Sequence, residues 1–173
     1  MSAGWRRLVR LAELAHGPVR LSLVPDAAER AELARELGLE GLPALSAELE
    51  LRPWLDGVEV TGRFEGQVGQ ICGVSLDPFE QMVAGEIEAR AVPPDSPNAP
   101  QLEGGELTLD LDAPDPPDVL ETDSVDPTAY LIEHLVLQLD PFPRKPGAAF
   151  EFQPADPDDS PFAALRRLKD GDR

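Results

Sequence analysis

From Leu45 to Ala91 the chain keeps a two-residue hydrophobic period, and that pattern limits the possible folds more than any other feature. Leu45, Ala47, Leu49 and Leu51 alternate with Ser46, Glu48, Glu50 and Arg52. After a turn at Pro53 to Gly57 come Val58, Val60, Phe64 and Val68, and then Val83, Ile87, Ala89 and Ala91 alternate with Glu86, Glu88 and Arg90. Successive side chains of a strand point to opposite faces, so such runs bury one face and leave the other wet. The spacing predicts three strands in an antiparallel meander. Gly62, Gly66 and Gly69 permit a bend or bulge in the second strand, curling the sheet toward a barrel. Asp77-Pro78 marks the following turn.

A sheet with one apolar face needs a cover, and residues 126–139 supply the clearest helix. Asp126 is placed to cap the first turn, and Pro127 has no N–H to lose at the first helical position. Leu131, Ile132, Leu135, Val136 and Leu139 recur at three- and four-residue spacing, making one apolar face. Pro141 and Pro143 end the helix. Ahead of the meander, Val19, Leu21 and Leu23 alternate as a strand. Asp26 then caps a helix to about Leu37, with Ala27, Arg30, Ala31, Leu33, Ala34 and Leu37 as its core side and Gly38 as its stop. Leu8, Leu11, Leu14 and Ala15 give residues 5–15 a helical spacing that Gly17-Pro18 interrupts.

Residues 93–128 carry ten acidic side chains, eight prolines and no lysine or arginine. Such a composition buries too little apolar surface to order itself, which predicts a largely irregular acidic insertion over 93–125. One island within it, Leu107, Leu109 and Leu111, alternates as a short strand. A second polar linker after Phe152 leads to a short amphipathic helix from Ser160-Pro161, with Phe162, Leu165 and Leu168 on one face and Arg166, Arg167 and Lys169 near its end. The expected division is one α+β domain over 1–152, followed by linker and helix over 153–173.

Charge is distributed unevenly. The formal net charge is −18, and residues 21–140 hold 26 acidic against 5 basic side chains, whereas residues 1–20 hold 1 and 4 and residues 141–173 hold 6 and 6. This disfavours diffuse binding to nucleic acid or an anionic membrane. Arg144, Lys145, Pro146 and Gly147 form the one basic turn, just beyond the 126–139 helix; a solvated exit loop and a small binding site are both compatible with it. No apolar run is long enough to span a bilayer and the N-terminus lacks a signal-peptide pattern, so the expected location is the cytoplasm.

Searches for chemistry fail one by one. Asp110, Asp112, Asp118 and Glu121 fit positions of a calcium loop, but Asp115 occupies the place of its turn glycine and prolines crowd it. Two histidines, His16 and His134, do not make a zinc site. The single cysteine, Cys72, reads as a buried structural thiol on the apolar side of its strand, and His134 as a boundary residue. Trp5, Trp54 and Phe64 have the chemistry to stack on bases, but aromatics in an aromatic-poor chain are more often core. No phosphate loop or nucleophile elbow is present, so neither enzyme activity nor a cofactor or metal is expected.

Three segments, GRFEGQVGQICGVSLDPFEQ at 62–81, DPTAYLIEHLVLQLDPFPRKPG at 126–147 and SPFAALRRLKD at 160–170, resemble in order and spacing the YceD-like family of large ribosomal RNA subunit accumulation proteins, in its alphaproteobacterial form. The family's helix carries an acidic residue, here Glu133, before a leucine-rich stretch and a proline-bounded exit. Many members have a second cysteine where this chain has Ser75, so a paired-thiol or metal role does not transfer to Cys72. The resemblance also implies an extended lead-in where periodicity gives a helix at 5–15. It implies a non-enzymatic part in large-subunit biogenesis, with either 23S rRNA or a basic large-subunit ribosomal protein as partner. Under the first, Arg144, Lys145 and the Arg166, Arg167, Lys169 helix touch RNA; under the second, the acidic body shields a basic protein. An acidic docking module unrelated to RNA, using Phe162 and Leu165 as anchors, is the remaining alternative.

Overall fold

The two-residue period becomes three long strands. The computed structural model describes residues 5–100 and 115–150, and its centre is β3 (Gly41–Trp54), β4 (Gly57–Ile71) and β5 (Pro78–Val92), following β1 (Val9–Arg10), α1 (Leu11–Leu14), β2 (Val19–Leu23) and α2 (Ala27–Glu36). β6 (Asp118–Val119), β7 (Ser124–Val125) and α3 (Pro127–Gln138) complete the order. The main sheet runs β2-β3-β4-β5-β6, and β1 pairs with β7 in a separate two-stranded ladder.

The meander is antiparallel as expected, but β6 joins β5 in parallel, through Ala91 with Asp118 and Val92 with Val119, so the sheet is mixed. It stays open, with β2 and β6 at its edges, and does not close into a barrel. The expected bulge is in β3, between Gly41 and Ala44, and not at the glycines of β4. Those glycines serve close approach instead: a side chain at Gly62 would run into the Glu48 carbonyl oxygen. The turn before β5 also falls earlier than Asp77-Pro78 suggests, because Pro78 already pairs with Ile71.

Alternation assigns the faces correctly. Leu45, Ala47, Leu49, Leu51, Val58, Val60, Phe64, Val68, Val83, Ile87 and Ala91 are buried in one core with Leu131 and Leu135 of α3. Each fully buried leucine is worth about 1.5–3 kcal/mol of transfer free energy, enough to hold a 12-residue helix that would be marginal alone. α3 lies over β5, where Gly85 leaves room for the Phe64 ring on one side and Gln138 on the other. Val136, expected on the apolar face, is 45% exposed. On α2, Leu33 and Ala34 are buried and Leu37 packs partly, while Ala27 and Ala31 face solvent.

The N-terminal segment corrects the helical reading of 5–15. Only Leu11–Leu14 is helical, because the backbone before it is used elsewhere: Val9 and Arg10 pair with Val125 and Ser124, and the Leu11 N–H donates to Asp123. Asp126 joins this lead-in to α3. Its carboxylate accepts from the N–H groups of Thr128 (3.2 Å) and Arg7 (3.3 Å) and from Arg6 Nε (2.9 Å), and the Thr128 hydroxyl reaches the Trp5 carbonyl at 3.1 Å. Trp5 and Phe64 are core; Trp54 is half-buried with the Arg90 guanidinium 5.5 Å over its ring. The Leu107 to Leu111 island and the 160–170 helix lie outside the described residues.

Candidate functional site

The basic turn is built where the exit of α3 meets the β4–β5 turn. Cys72 is not on a strand: it opens the 72–77 turn, and its buried sulfur accepts backbone N–H groups from Val74 (3.4 Å), Ser75 (3.4 Å) and Lys145 (3.3 Å). Gly73 N–H donates to the Pro143 carbonyl at 2.8 Å, and Gln70 Nε2 to that of Asp140 at 3.2 Å. Hydrogen bonds from the side chain and backbone of Ser75, then from the Lys145 N–H, favour the thiolate and bring Cys72 from its ordinary 9.0 down to about 6. Ser75 therefore supplies hydrogen bonds to the Cys72 sulfur.

These contacts make the turn a latch. Lys145 Nζ is 3.3 Å from Asp77 Oδ2, while among the described residues no ion pair holds Arg144. Gly147 takes φ 81°, a left-handed conformation that suits glycine, and the Ala148 N–H closes the turn on Lys145. Arg144, Lys145, Pro146 and Gly147 are thus brought together and exposed, but one of their two cations is already matched by a carboxylate. Phe162, Leu165, Arg166, Arg167 and Lys169 lie outside the described residues. Next to the latch, a groove of about 360 Å³ is lined by Leu39, Ile71, Leu139, Pro141 and Pro143 with Glu40 and Asp140 at its rim. Phe142 is 78% exposed beside it.

The sequence marked the latch through its prolines and cations but gave no sign that Cys72 holds it, since the two segments are 73 residues apart. His134 fits its boundary reading: it is half-buried with Nδ1 2.9 Å from the Tyr130 carbonyl oxygen. Tyr130 donates to Asp118 at 2.9 Å, tying β6 to α3, and burial followed by that carboxylate pushes its phenol well above the usual range. Among the described residues no three His, Cys, Asp or Glu side chains gather as a metal-holding group, and no helix is long and apolar enough to cross a membrane.

The outer face of the sheet, opposite α3, is a second and larger surface that site-by-site searching passed over. Register places Arg20, Glu50, Thr61 and Glu88 in one row, Glu48, Arg63 and Glu86 in the next, and Arg52, Glu59 and Arg90 in a third. Arg52 pairs with Glu50 at 2.6 Å and Arg90 with Glu59 at 3.0 Å. The hydrogen bonds from Arg52 and Arg20 hold Glu50 below the usual carboxylate range. Glu65 and Glu80, further along, have no arginine opposite them, so the excess of negative charge grows toward the β4–β5 turn. Most of this face is exposed, and at its β3 side Val24 and the α2 residue Arg30 border a hollow with Ser46, Glu65 and Met82.

A family described as "Large ribosomal RNA subunit accumulation protein YceD" matches residues 60–169. The chain belongs to the YceD family. The matched span takes in most of β4, all of β5, the latch and the C-terminal segment through Lys169, so the latch and the β4–β5 part of the outer face lie within it, whereas β2 and β3 precede it. No curated protein and no solved structure matches the chain.

Proposed function

We propose that this YceD-family chain is a non-enzymatic factor supporting accumulation of large-subunit ribosomal RNA, and that it acts by holding a basic large-subunit ribosomal protein against its acidic body. The observation that carries this reading is the largely exposed outer face, where seven glutamates face four arginines and the excess lies away from the Arg52, Glu59 and Arg90 row, a charge balance that suits a cationic protein partner. The family description supplies the ribosomal context.

The competing mechanism puts 23S rRNA on the Arg144-Lys145 turn. One observation favours it: Phe142, two residues before Arg144, is exposed and able to stack on a base. Against it, Lys145 is engaged by Asp77, so within the described turn only Arg144 is without a carboxylate partner among the described residues, and one guanidinium there neutralises few phosphates. The mechanism's other cations, Arg166, Arg167 and Lys169, lie outside the described residues. Ultraviolet crosslinking in cells decides between them. The double substitution Arg144→Ala with Lys145→Ala leaves RNA recovery unchanged under the protein-holding mechanism and abolishes it under direct contact.

A further inference from the structure

We infer that the free edge of β5 is a strand-addition site for an extended, cationic segment of the partner protein, an inference that rests on the protein-holding reading above. β5 is paired with β4 from Pro78 to Ala91, but among the described residues its other side is met only by the two residues of β6, at Ala91 and Val92. From Pro78 to Ala89 no described strand, turn or side chain hydrogen-bonds to the backbone of β5 on the side away from β4. At ~3.3 Å per residue this leaves roughly 40 Å of edge whose donors and acceptors have no partner among the described residues. A strand edge of that length is a template for another chain.

Side chains beside the edge select what pairs there. On the outer face β5 presents Glu80, Met82, Ala84, Glu86 and Glu88, all exposed, with Arg90 partly buried at the far end. Arg90 is committed to Glu59 and Glu88. A second copy of this chain is a weaker occupant: antiparallel registers centred on Val83, Ala84, Glu86 or Ile87 each set glutamates face to face, which destabilises a ladder, and the register centred on Gly85 matches Glu80 only with Arg90, already committed to Glu59 and Glu88. A strand with lysine or arginine at alternate positions places every cation on this acidic face and completes the edge with main-chain hydrogen bonds. The opposite face of β5 is closed by α3, so side chains of the incoming strand that point that way meet the flank of the helix.

The test uses the full chain and a ten-residue synthetic peptide alternating lysine with valine or threonine. Its control is the same peptide with two central uncharged residues replaced by proline, which keeps the charge and removes strand pairing. Amide exchange is followed by NMR at low salt. The proposal expects alternate amides between Phe79 and Arg90 to slow at least tenfold with the first peptide and not with the second, and Glu86→Lys with Glu88→Lys to weaken peptide binding about tenfold. Unchanged β5 amides, or equal slowing by the proline peptide, overturns strand addition. So does strong protection in the free chain accompanied by dimers in sedimentation. The protein-holding reading is judged separately, by whether a basic large-subunit protein is recovered from lysate. Recovery without β5 protection defeats strand addition alone, whereas β5 protection without recovery defeats only the partner's identity.

Discussion

Gly85→Ala tests how α3 is seated. Gly85 sits directly opposite Phe64 in the β4–β5 ladder, and a Cβ there would lie 2.8 Å from Phe64 Cε1, 3.1 Å from Cζ and 3.3 Å from Gln138 Cγ. The ring is 3% exposed and enclosed by the core, so it cannot swing into solvent to make room. Overpacking of this kind costs about 1–3 kcal/mol, offset by ~0.5–1 kcal/mol from replacing a strand glycine. The net expectation is a loss of roughly 0.5–2 kcal/mol, or about 1–8 °C in Tm for a chain of this size. Urea denaturation of Gly85→Ala, Phe64→Leu and the pair closes the cycle. Because leucine vacates the space that the new methyl needs, the double variant should be at least ~0.5 kcal/mol more stable than the sum of the singles. A Gly85→Ala protein as stable as its parent, or strictly additive effects, would refute the packing argument.

Three further outcomes follow from individual contacts. Asp126→Ala should lose about 1–2 kcal/mol, since the carboxylate caps α3 and also accepts from Arg6 and Arg7, and amide exchange at residues 5–10 should quicken with it; unchanged exchange there would show that the lead-in is held by other contacts. Leu55 and Leu76 occupy left-handed backbone, φ 52° and 60°, with exposed side chains, so Leu55→Gly or Leu76→Gly should each gain ~0.5–1 kcal/mol in thermal unfolding. For Cys72 the folded value near 6 lies below an unfolded value of about 8.5, so its contribution is fully present above the unfolded value and is lost as pH falls through 6. Denaturation midpoints of the parent should therefore rise relative to Cys72→Ala between about pH 6 and 8.5; parallel profiles would contradict the three-donor nest.

Strand faces and helix caps were legible because each is a local rule. The alternation of Leu45 to Leu51 fixes which side of β3 is buried, and Asp126-Pro127 fixes where α3 begins. What the sequence concealed depends on distant partners. Residues 5–10 have a helical spacing but spend their backbone on Val125, Ser124 and Asp126, and no pattern within the segment announces that. The two residues of β6 pair in parallel with Ala91 and Val92, turning an antiparallel expectation into a mixed sheet, and two residues are too few to carry a period. Of the candidate site, the Arg144-Lys145 turn was visible as composition, whereas its anchoring on Cys72 was not. The acidic outer face was present in the same alternation all along. It emerges as a surface only when register aligns Glu48, Arg63 and Glu86 into a row.

Affinity recovery of the tagged full chain from cells, with RNA and protein identified in parallel, tests the central claim most directly. The comparison is between the parent, Glu86→Lys with Glu88→Lys, and Arg144→Ala with Lys145→Ala, at moderate salt. The account predicts one basic large-subunit ribosomal protein with the parent, its loss on reversing the two glutamates, and its retention when the two cations are removed. Recovery of a defined 23S rRNA segment that survives the glutamate reversal and disappears with Arg144 and Lys145 would contradict it, and would move the functional surface to the latch.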